Sequence, residues 1–242
     1  MTEKNLTVIR QILQTDIWSR VVKLPPVLMA RAKRLRNSGP KKAIALATLA
    51  LQIEILIWAP VRSGNLLAIK LGENLGKTGC GDYRLHIPVN DVKNRVELNF
   101  TFTSRTAEMI DDFIHDFRPL LEGHGQSDYL FPRGQGAHRS PSHASSAIAA
   151  VMTREIGLRM TAHQFRHAAA AQILKNCPGD YEYVRRVLGH RTVVTTQRFY
   201  CALEAFQATK NFGDMIKQEV AKGGALSRKI TRRAVRMAKK RA

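Results

Sequence analysis

Hydrophobic and polar positions along the chain predict a mainly helical fold. In residues 1–24 the apolar side chains lie one helical turn apart on a single face, as in a helical lead-in or linker. Pro25 and Pro26 predict the start of a basic helix that runs to Arg36. Residues 41–58 are apolar nearly all round, which is typical of a helix buried at the centre of a domain.

The period of the pattern changes between Leu75 and Phe102. Apolar residues there alternate with polar ones as far as Val89 and again from Val96, which predicts an antiparallel hairpin with Lys93 at its tip. Helical periodicity then returns in two segments, residues 104–121 and 142–156. The expected fold class is mainly α with a small antiparallel β-sheet (α+β).

Capping signals define the next helix. Thr161 followed three residues later by Gln164 forms a capping box, so a helix should begin there. This helix would carry His163, Arg166 and His167 on one side, because residues three and four apart are neighbours on a helix surface.

Two further helices are predicted beyond it. Residues 181–188 have the pattern of a short helix that Gly189 ends, which presents His190 just past the helix terminus. Thr192 can cap another helix, and this one carries Tyr200.

Composition restricts the class of protein. The 242 residues, 44% of them hydrophobic, are enough for one sizeable domain with a filled core. Three distant cysteines indicate neither a disulfide framework nor a zinc site and fit a reducing cytoplasm. The N-terminus lacks the apolar run of a signal peptide. The longest apolar stretch, residues 43–58, is short for a membrane span and contains Gln52 and Glu54.

Positive charge is concentrated at the two ends of the chain. Residues 1–42 hold ten Lys or Arg against two Asp or Glu, and residues 217–242 hold ten against one, which makes +17 of the net +20. A polyanion is the partner that this distribution favours, because each neutralised phosphate releases counterions. Solvated basic tails that keep the chain soluble are the plain alternative, and beyond Gly224 a DNA-facing arm and a disordered tail stay equally open.

The polar residues of the predicted helices suggest phosphodiester chemistry. His163, Arg166, His190 and Tyr200 together supply the groups needed to attack and clamp a phosphodiester without a metal. Alone, each has an ordinary explanation, such as an exposed helix face or a half-buried tyrosine ring. The two histidines four residues apart also have the spacing of zinc-protease ligands, but Gln164 stands where that motif needs a glutamate base.

Taken in order, these residues resemble the tyrosine recombinase (phage integrase) family over residues 20–210. Arg62, in the segment Ala-Pro-Val-Arg-Ser-Gly-Asn-Leu-Leu, looks like the arginine of the first conserved box. Lys93 lies in what looks like the hairpin that bears the catalytic lysine, and residues 129–132 are similar to the segment that precedes the His-x-x-Arg helix. Five elements in the right order make the resemblance specific.

The resemblance implies a phosphate clamp. Arg62 and Arg166 would hold the non-bridging oxygens of the attacked phosphate in fork geometry, in place of metal ions. His190 would hydrogen-bond the phosphoryl oxygens. No metal, cofactor or ATP is expected.

It also implies how protons and bonds move. Tyr200 would attack the phosphorus, with His163 as its general base and later acid, and Lys93 would protonate the departing 5′ oxygen. Lys77 is a competing candidate for the lysine.

Two positions depart from the family pattern. Asn65 stands where many members have an acidic residue that supports the first arginine, so Arg62 would be held differently. The spacing from His190 to Tyr200 is one residue longer than usual and would put the nucleophile at Phe199. Phenylalanine cannot attack a phosphate, so Tyr200 remains the predicted nucleophile.

Three parts of the chain are expected: a lead-in or linker (residues 1–24), a catalytic domain (25–213), and a docking segment with a basic tail (214–242). The first part cannot supply the N-terminal clamp domain that family members usually carry, so the chain is an isolated catalytic domain or a natural short form.

The implied activity is that of a site-specific DNA recombinase or integrase. Type IB topoisomerase-like strand relaxation and a catalytically inactive DNA-binding protein of the same fold remain alternatives. The expected partners are double-stranded DNA and other protomers, as a tetramer on DNA and a monomer without it, with no membrane. The expected location is the bacterial cytoplasm, at the nucleoid when bound to DNA.

Overall fold

The computed structural model describes residues 3–14, 16–133, 137–138 and 140–239. The helices are α1 (Glu3–Gln14), α2 (Ile17–Leu35), α3 (Pro40–Trp58), α4 (Ser63–Leu67), α5 (Ser104–Asp112), α6 (Pro141–Ile156), α7 (Ala162–Asn176), α8 (Tyr181–Leu188) and α9 (Val193–Lys239). The strands are β1 (Leu75–Lys77), β2 (Tyr83–Ile87), β3 (Leu98–Phe102), β4 (Pro132–Arg133) and β5 (Ala137–His138). The predicted fold class, mainly α with a small antiparallel sheet, is confirmed.

Helix α3 is the centre of the core, as its uniformly apolar sequence predicts. Eleven of its nineteen residues are buried, including the polar Gln52 and Glu54. It packs along α2 and also contacts α5, α6 and α7. The helices that carry Arg62 at their start and Arg166 in their interior, α4 and α7, therefore both contact one buried element.

The helix predicted to open at Pro25 begins eight residues earlier, at Ile17, and both prolines lie in its interior. The prediction was wrong because packing overrides the local signal. Val21, Leu24 and Leu28 are buried on both sides of the prolines. Each such burial contributes roughly 1.5–3 kcal/mol, which offsets the roughly 3 kcal/mol that a proline costs inside a helix.

The segment predicted as a lead-in or linker is a packed element. Ile9, Ile12 and Leu13 of α1 are buried, and the helix lies against α7 and α2. The N-terminal helix is therefore part of the same compact unit as the residues that follow it, and it contacts the helix that carries Arg166.

The three-stranded sheet has the order β1-β2-β3, and all its pairs are antiparallel. Alternate residues of β2 are buried, as the period-two pattern predicts. The strands are shorter than predicted: β2 ends at Ile87 and β3 begins at Leu98. Pro88 has no N–H to continue the ladder, and the chain turns into a short 3-10 helix instead. The loop of residues 88–97 then carries Lys93.

The capping predictions for the later helices are confirmed. Gln164 accepts a hydrogen bond from the Thr161 amide (2.7 Å) at the start of α7. Gly189 ends α8 in the left-handed conformation (φ 61°). The Thr192 hydroxyl accepts from the Thr195 amide in the first turn of α9.

Residues 1–200 form one compact unit and residues 201–242 form a second. Among the side chains of the second unit that the structure describes, four large apolar ones are exposed: Phe212, Met215, Ile216 and Val220. The side chains of Leu203, Phe206 and residues 224–242 lie outside the described part of the chain. In the part of the chain that the structure covers, no helix is both long and apolar enough to cross a membrane.

A buried carboxylate joins α3 to α5. Glu54, with no exposed surface, accepts hydrogen bonds from Trp58 Nε1 (3.0 Å), Thr106 Oγ1 (2.7 Å) and the Arg105 guanidinium (3.0 Å). Because the carboxylate is fully hydrogen-bonded and paired with a cation, its charge is compatible with burial.

Replacing Glu54 with alanine should lower the free energy of unfolding by about 3 kcal/mol, because three donors lose their shared acceptor. Glu73→Ala is the matched control. Its carboxylate is 57% exposed in an ion pair with Lys70, so the loss should stay below about 1 kcal/mol. Urea unfolding followed by circular dichroism measures both values, and equal losses would contradict a structural role for Glu54.

Candidate active site

Arg166 lies at the centre of the candidate site. Its side chain points from α7 into the interior and is 3% exposed. Nη1 donates to the Pro60 carbonyl (2.5 Å) and Nη2 to the Leu188 carbonyl (2.7 Å). Burial, and secondarily the charge of Arg62, lowers the Arg166 pKa to about 10, so the group is still a cation at neutral pH.

Arg62 lies next to the backbone carbonyl that Arg166 contacts. It is the N-cap residue of α4, two residues after the carbonyl that Arg166 holds, and it is half-buried. Burial lowers its pKa. Together with Lys93 it lines an open groove of about 460 Å³. The structure thus places the predicted first arginine and the predicted lysine on one groove.

Two asparagines hold the loop that carries Lys93. Asn65 Nδ2 donates to the Asp91 carbonyl (2.8 Å), and Asn94 Nδ2 donates to the Gly189 carbonyl (3.1 Å). Asn65, at the position of departure from the family pattern, therefore supports the lysine loop. Sequence reasoning gave Asn94 no role, since nothing local distinguishes it from any polar loop residue.

Lys77, the competing lysine, is engaged elsewhere. Its Nζ lies 2.7 Å from Asp111 Oδ2 and 5.6 Å from the centre of the Tyr83 ring. Lys93 is exposed at the groove shared with Arg62. The geometry favours Lys93 as the lysine of the site.

Backbone and side-chain contacts fix His190 just beyond α8. Its amide donates to the Arg185 carbonyl (2.9 Å), and its Nδ1 lies 2.9 Å from Thr196 Oγ1. Glycine suits position 189 because its φ of 61° is left-handed, and a Cβ there would also lie 2.7 Å from Leu98 Cδ2. Burial, followed by the charges of Arg166 and Arg62, lowers the His190 pKa to about 4.

His163 lies one turn before Arg166 on α7. Its surface is exposed, but neighbouring atoms partly desolvate the imidazole, which lowers its pKa, and the charges of Arg166 and Arg62 add to this effect. The same two guanidiniums act on His190. These four groups therefore lie within one another's electrostatic field, and both histidines are neutral at pH 7.

Tyr200 completes the cluster from α9. It is 2% exposed and packs with Ala170, Leu174, Val184 and Leu188. Its Oη lies 3.0 Å from Nδ1 of His167. Burial raises the pKa of the phenol, while the Arg166 charge opposes that rise. The side chain of Phe199 lies outside the described part of the chain, so Tyr200 is the residue whose placement can be assessed.

Sequence reasoning placed His167 on the right helix face but gave it no part in the site. The residue is buried, and its ring meets that of His163 edge to face at 4.7 Å. Burial, then the charges of His163 and Arg166, lowers its pKa to about 4. The signal was present in the i, i+4 spacing of the two histidines, which makes them neighbours on α7, and His167 is the one that contacts Tyr200.

Known proteins share parts of this sequence and this fold. The model of the phage integrase family matches residues 28–205. No curated protein matches the chain.

Among solved structures, the XerH site-specific recombinase bound to its difH substrate in a pre-cleavage complex is 19% identical, with a TM-score of 0.54 over 72% of this chain and 47% of that one. Its post-cleavage complex gives the same TM-score and identity. The XerA recombinase is also 19% identical, with a TM-score of 0.48 over 71% of this chain and 57% of that one. The likeness to XerH concerns the fold, and the chain spans just under half of the XerH length.

The depressed histidine pKa values predict acid lability. His167 and His190 have pKa values of about 4 when folded and about 6.5 when unfolded. The unfolded chain therefore binds more protons below pH 6.5. The stabilisation is present above that pH and is lost as the pH falls toward 4, with a slope of up to roughly 1.4 kcal/mol per pH unit for each histidine.

Urea unfolding at several pH values between 7 and 4 tests this. His167→Gln should reduce the slope of unfolding free energy against pH by up to roughly 1.4 kcal/mol per pH unit, which corresponds to one proton. His143→Gln, at an exposed position on α6, should keep the wild-type slope. An unchanged slope in His167→Gln would contradict the assigned pKa.

Proposed function

The chain belongs to the phage integrase family, and on this premise we propose that it is the catalytic domain of a site-specific DNA recombinase or integrase. It cuts a DNA strand by forming a 3′-phosphotyrosyl link and rejoins strands by reversing that step, with neither metal nor ATP. The observation that carries the proposal is the convergence of Tyr200, Arg62, Arg166, His163 and His190 on one site.

The two arginines form the phosphate clamp. Attack at phosphorus concentrates charge on the non-bridging oxygens, where guanidiniums bind in fork geometry. Arg166 is held by two carbonyls, from Pro60 and Leu188, so its orientation is set before a substrate arrives. Such pre-organised charge is the main source of transition-state stabilisation in sites of this kind.

His163 takes the proton of Tyr200. The raised pKa of the buried phenol means that it does not ionise by itself at neutral pH, so attack needs a base. The lowered pKa of His163 leaves its imidazole neutral and able to accept that proton. His190, beside Thr196, donates a hydrogen bond to the phosphoryl oxygens.

Lys93 supplies the proton of the other half of the reaction. As the Tyr200 oxygen bonds to phosphorus, the bond to the 5′ oxygen breaks, and that oxygen takes a proton from the Lys93 ammonium. The position of Lys93 on the groove shared with Arg62 supports this role.

Tyr200 must become accessible for the reaction to occur. At 2% exposure its hydroxyl cannot meet a DNA phosphate, so productive binding at a recombination site must uncover it. The described structure corresponds to a resting state of the enzyme.

Double-stranded DNA and further protomers are the partners that we propose. The +17 charge of residues 1–42 and 217–242 suits a duplex. The exposed apolar residues of the second unit, Phe212, Met215, Ile216 and Val220, suit docking on a neighbouring protomer. The assembly is a tetramer on DNA and a monomer without it, and in a bacterial cell the protein lies at the nucleoid.

Tyr200→Phe should abolish formation of a covalent protein–DNA adduct on a nicked suicide substrate, because the variant lacks the attacking oxygen. Tyr183→Phe is the control, since Tyr183 is 48% exposed on α8 and should keep full adduct yield. Denaturing gel electrophoresis reports the adduct. An adduct in Tyr200→Phe would overturn the assignment. Wild-type binding without an adduct would identify an inactive DNA-binding protein of the same fold.

Lys93→Ala should slow cleavage of ordinary DNA by about 10²–10⁴-fold, the usual range for general acid catalysis. On DNA with sulfur in place of the bridging 5′ oxygen the rate should be nearly restored, because a thiolate leaves without a proton. Lys77→Ala, tested in parallel, should show neither effect, since Lys77 pairs with Asp111. Rescue of Lys77→Ala alone would assign the acid to Lys77.

A further inference from the structure

The N-terminal helix reaches the candidate nucleophile through a chain of hydrogen bonds. Asn5 of α1 lies between two residues of α7: its Oδ1 is 3.4 Å from Gln164 Nε2, and its Nδ2 is 3.3 Å from His167 Nε2. His167 Nδ1 in turn lies 3.0 Å from Tyr200 Oη. Four side chains from three helices therefore form one continuous path.

The donor and acceptor of every hydrogen bond in this path follow from one backbone group, the N–H of Thr161. The backbone N–H of Thr161 can only donate, so the Gln164 atom 2.7 Å from it must be the oxygen, Oε1. The other end of that amide, Nε2, can only donate to Asn5, whose facing atom is therefore Oδ1. Asn5 Nδ2 then donates to His167 Nε2, which must be the unprotonated nitrogen of the ring.

A neutral imidazole carries one proton, so in His167 the proton is on Nδ1 and points at Tyr200 Oη. The low pKa of His167 keeps the ring neutral at pH 7. The Tyr200 oxygen is thus a hydrogen-bond acceptor in this contact, and His167 cannot take the phenol proton from it.

From this we propose that Asn5 is a positioning residue that fixes the tautomer of His167, and through it the hydrogen bond that holds the Tyr200 oxygen. The inference rests on the proposed function in so far as Tyr200 is the nucleophile. A donor aimed at the phenol oxygen stabilises the phenolate as it forms, and it leaves the phenol proton for another base. His163, the neighbouring histidine, is then the group that remains to accept it.

The tautomer can be read directly in the DNA-free full-length chain. Labelling with ¹⁵N-histidine and recording long-range ¹H–¹⁵N spectra at pH 7 identifies which nitrogen of each ring is protonated, and a His167→Gln sample assigns the His167 signals. Wild-type His167 should carry its proton on Nδ1. In Asn5→Ala the proton should move mainly to Nε2, the nitrogen that a neutral imidazole prefers in water.

Asn5→Asp is a second variant of the same size, in case the alanine loosens α1. Its carboxylate only accepts hydrogen bonds, so His167 Nε2 should become protonated. Thr7→Ala, at an exposed position on the same helix, is the matched control and should leave the spectrum unchanged. A wild-type proton on Nε2, or a tautomer that neither Asn5 variant alters, overturns the proposal.

Activity provides a second, separate measurement. Adduct formation by Asn5→Ala on nicked DNA should be about tenfold slower, the scale of one hydrogen bond, and that of Thr7→Ala should be unchanged. If the tautomer shifts as expected but the wild-type chain forms no adduct, the proposed function fails while the role of Asn5 toward His167 stands. If adducts form and neither Asn5 variant changes the His167 tautomer, only the present inference fails.

Discussion

A single buried guanidinium holds the three distant parts of the site together. Arg166 donates to the carbonyls of Pro60 and Leu188, which precede Arg62 and His190 by two residues each. A buried charge must be stabilised by polar partners. Here those partners are carbonyl dipoles, which leave the positive charge in place, whereas a carboxylate would neutralise it. The site therefore keeps a net positive field, which is suited to an anionic substrate and adds to the effect of burial in lowering the pKa values of His163 and His190.

The loop with Lys93 depends on the same frame. Two hydrogen bonds hold this loop. Asn65, on the helix that follows Arg62, donates to the Asp91 carbonyl, and Asn94 donates to the Gly189 carbonyl just before His190. Placing a flexible lysine on a loop held at both sides restricts where its ammonium can move. The Lys93 loop and Arg166 are thus held by one connected set of hydrogen bonds to backbone carbonyls.

Local sequence signals were sufficient for most of the helices and for the three-stranded sheet. A capping box depends on side chains three residues apart, and the end of α8 depends on one glycine, so both could be predicted without knowledge of the fold. The predictions misplaced the end of β2, the start of β3 and the start of α2. Pro88 follows the end of a strand and Pro25 lies inside a helix, because the effect of a proline depends on what packs around it.

Contacts between distant residues could not be predicted. Neither the packing of α1 on α7 nor the bond from Asn5 to His167 has a signature in sequence spacing, because the two residues are 162 positions apart. The burial of Tyr200 was missed for the same reason. An amphipathic ring after a helix cap gives no indication of whether its hydroxyl faces solvent or another side chain.

That burial has a consequence for the protein in the presence of bulk chromosomal DNA. A net charge of +20 favours binding to DNA whatever its sequence, because the phosphate backbone is the same everywhere. Under the proposed function, the buried Tyr200 hydroxyl is out of reach of a phosphate until the site opens, so contact with DNA alone leaves no nick. Charge-driven binding is thereby separated from strand breakage in the proposed reaction.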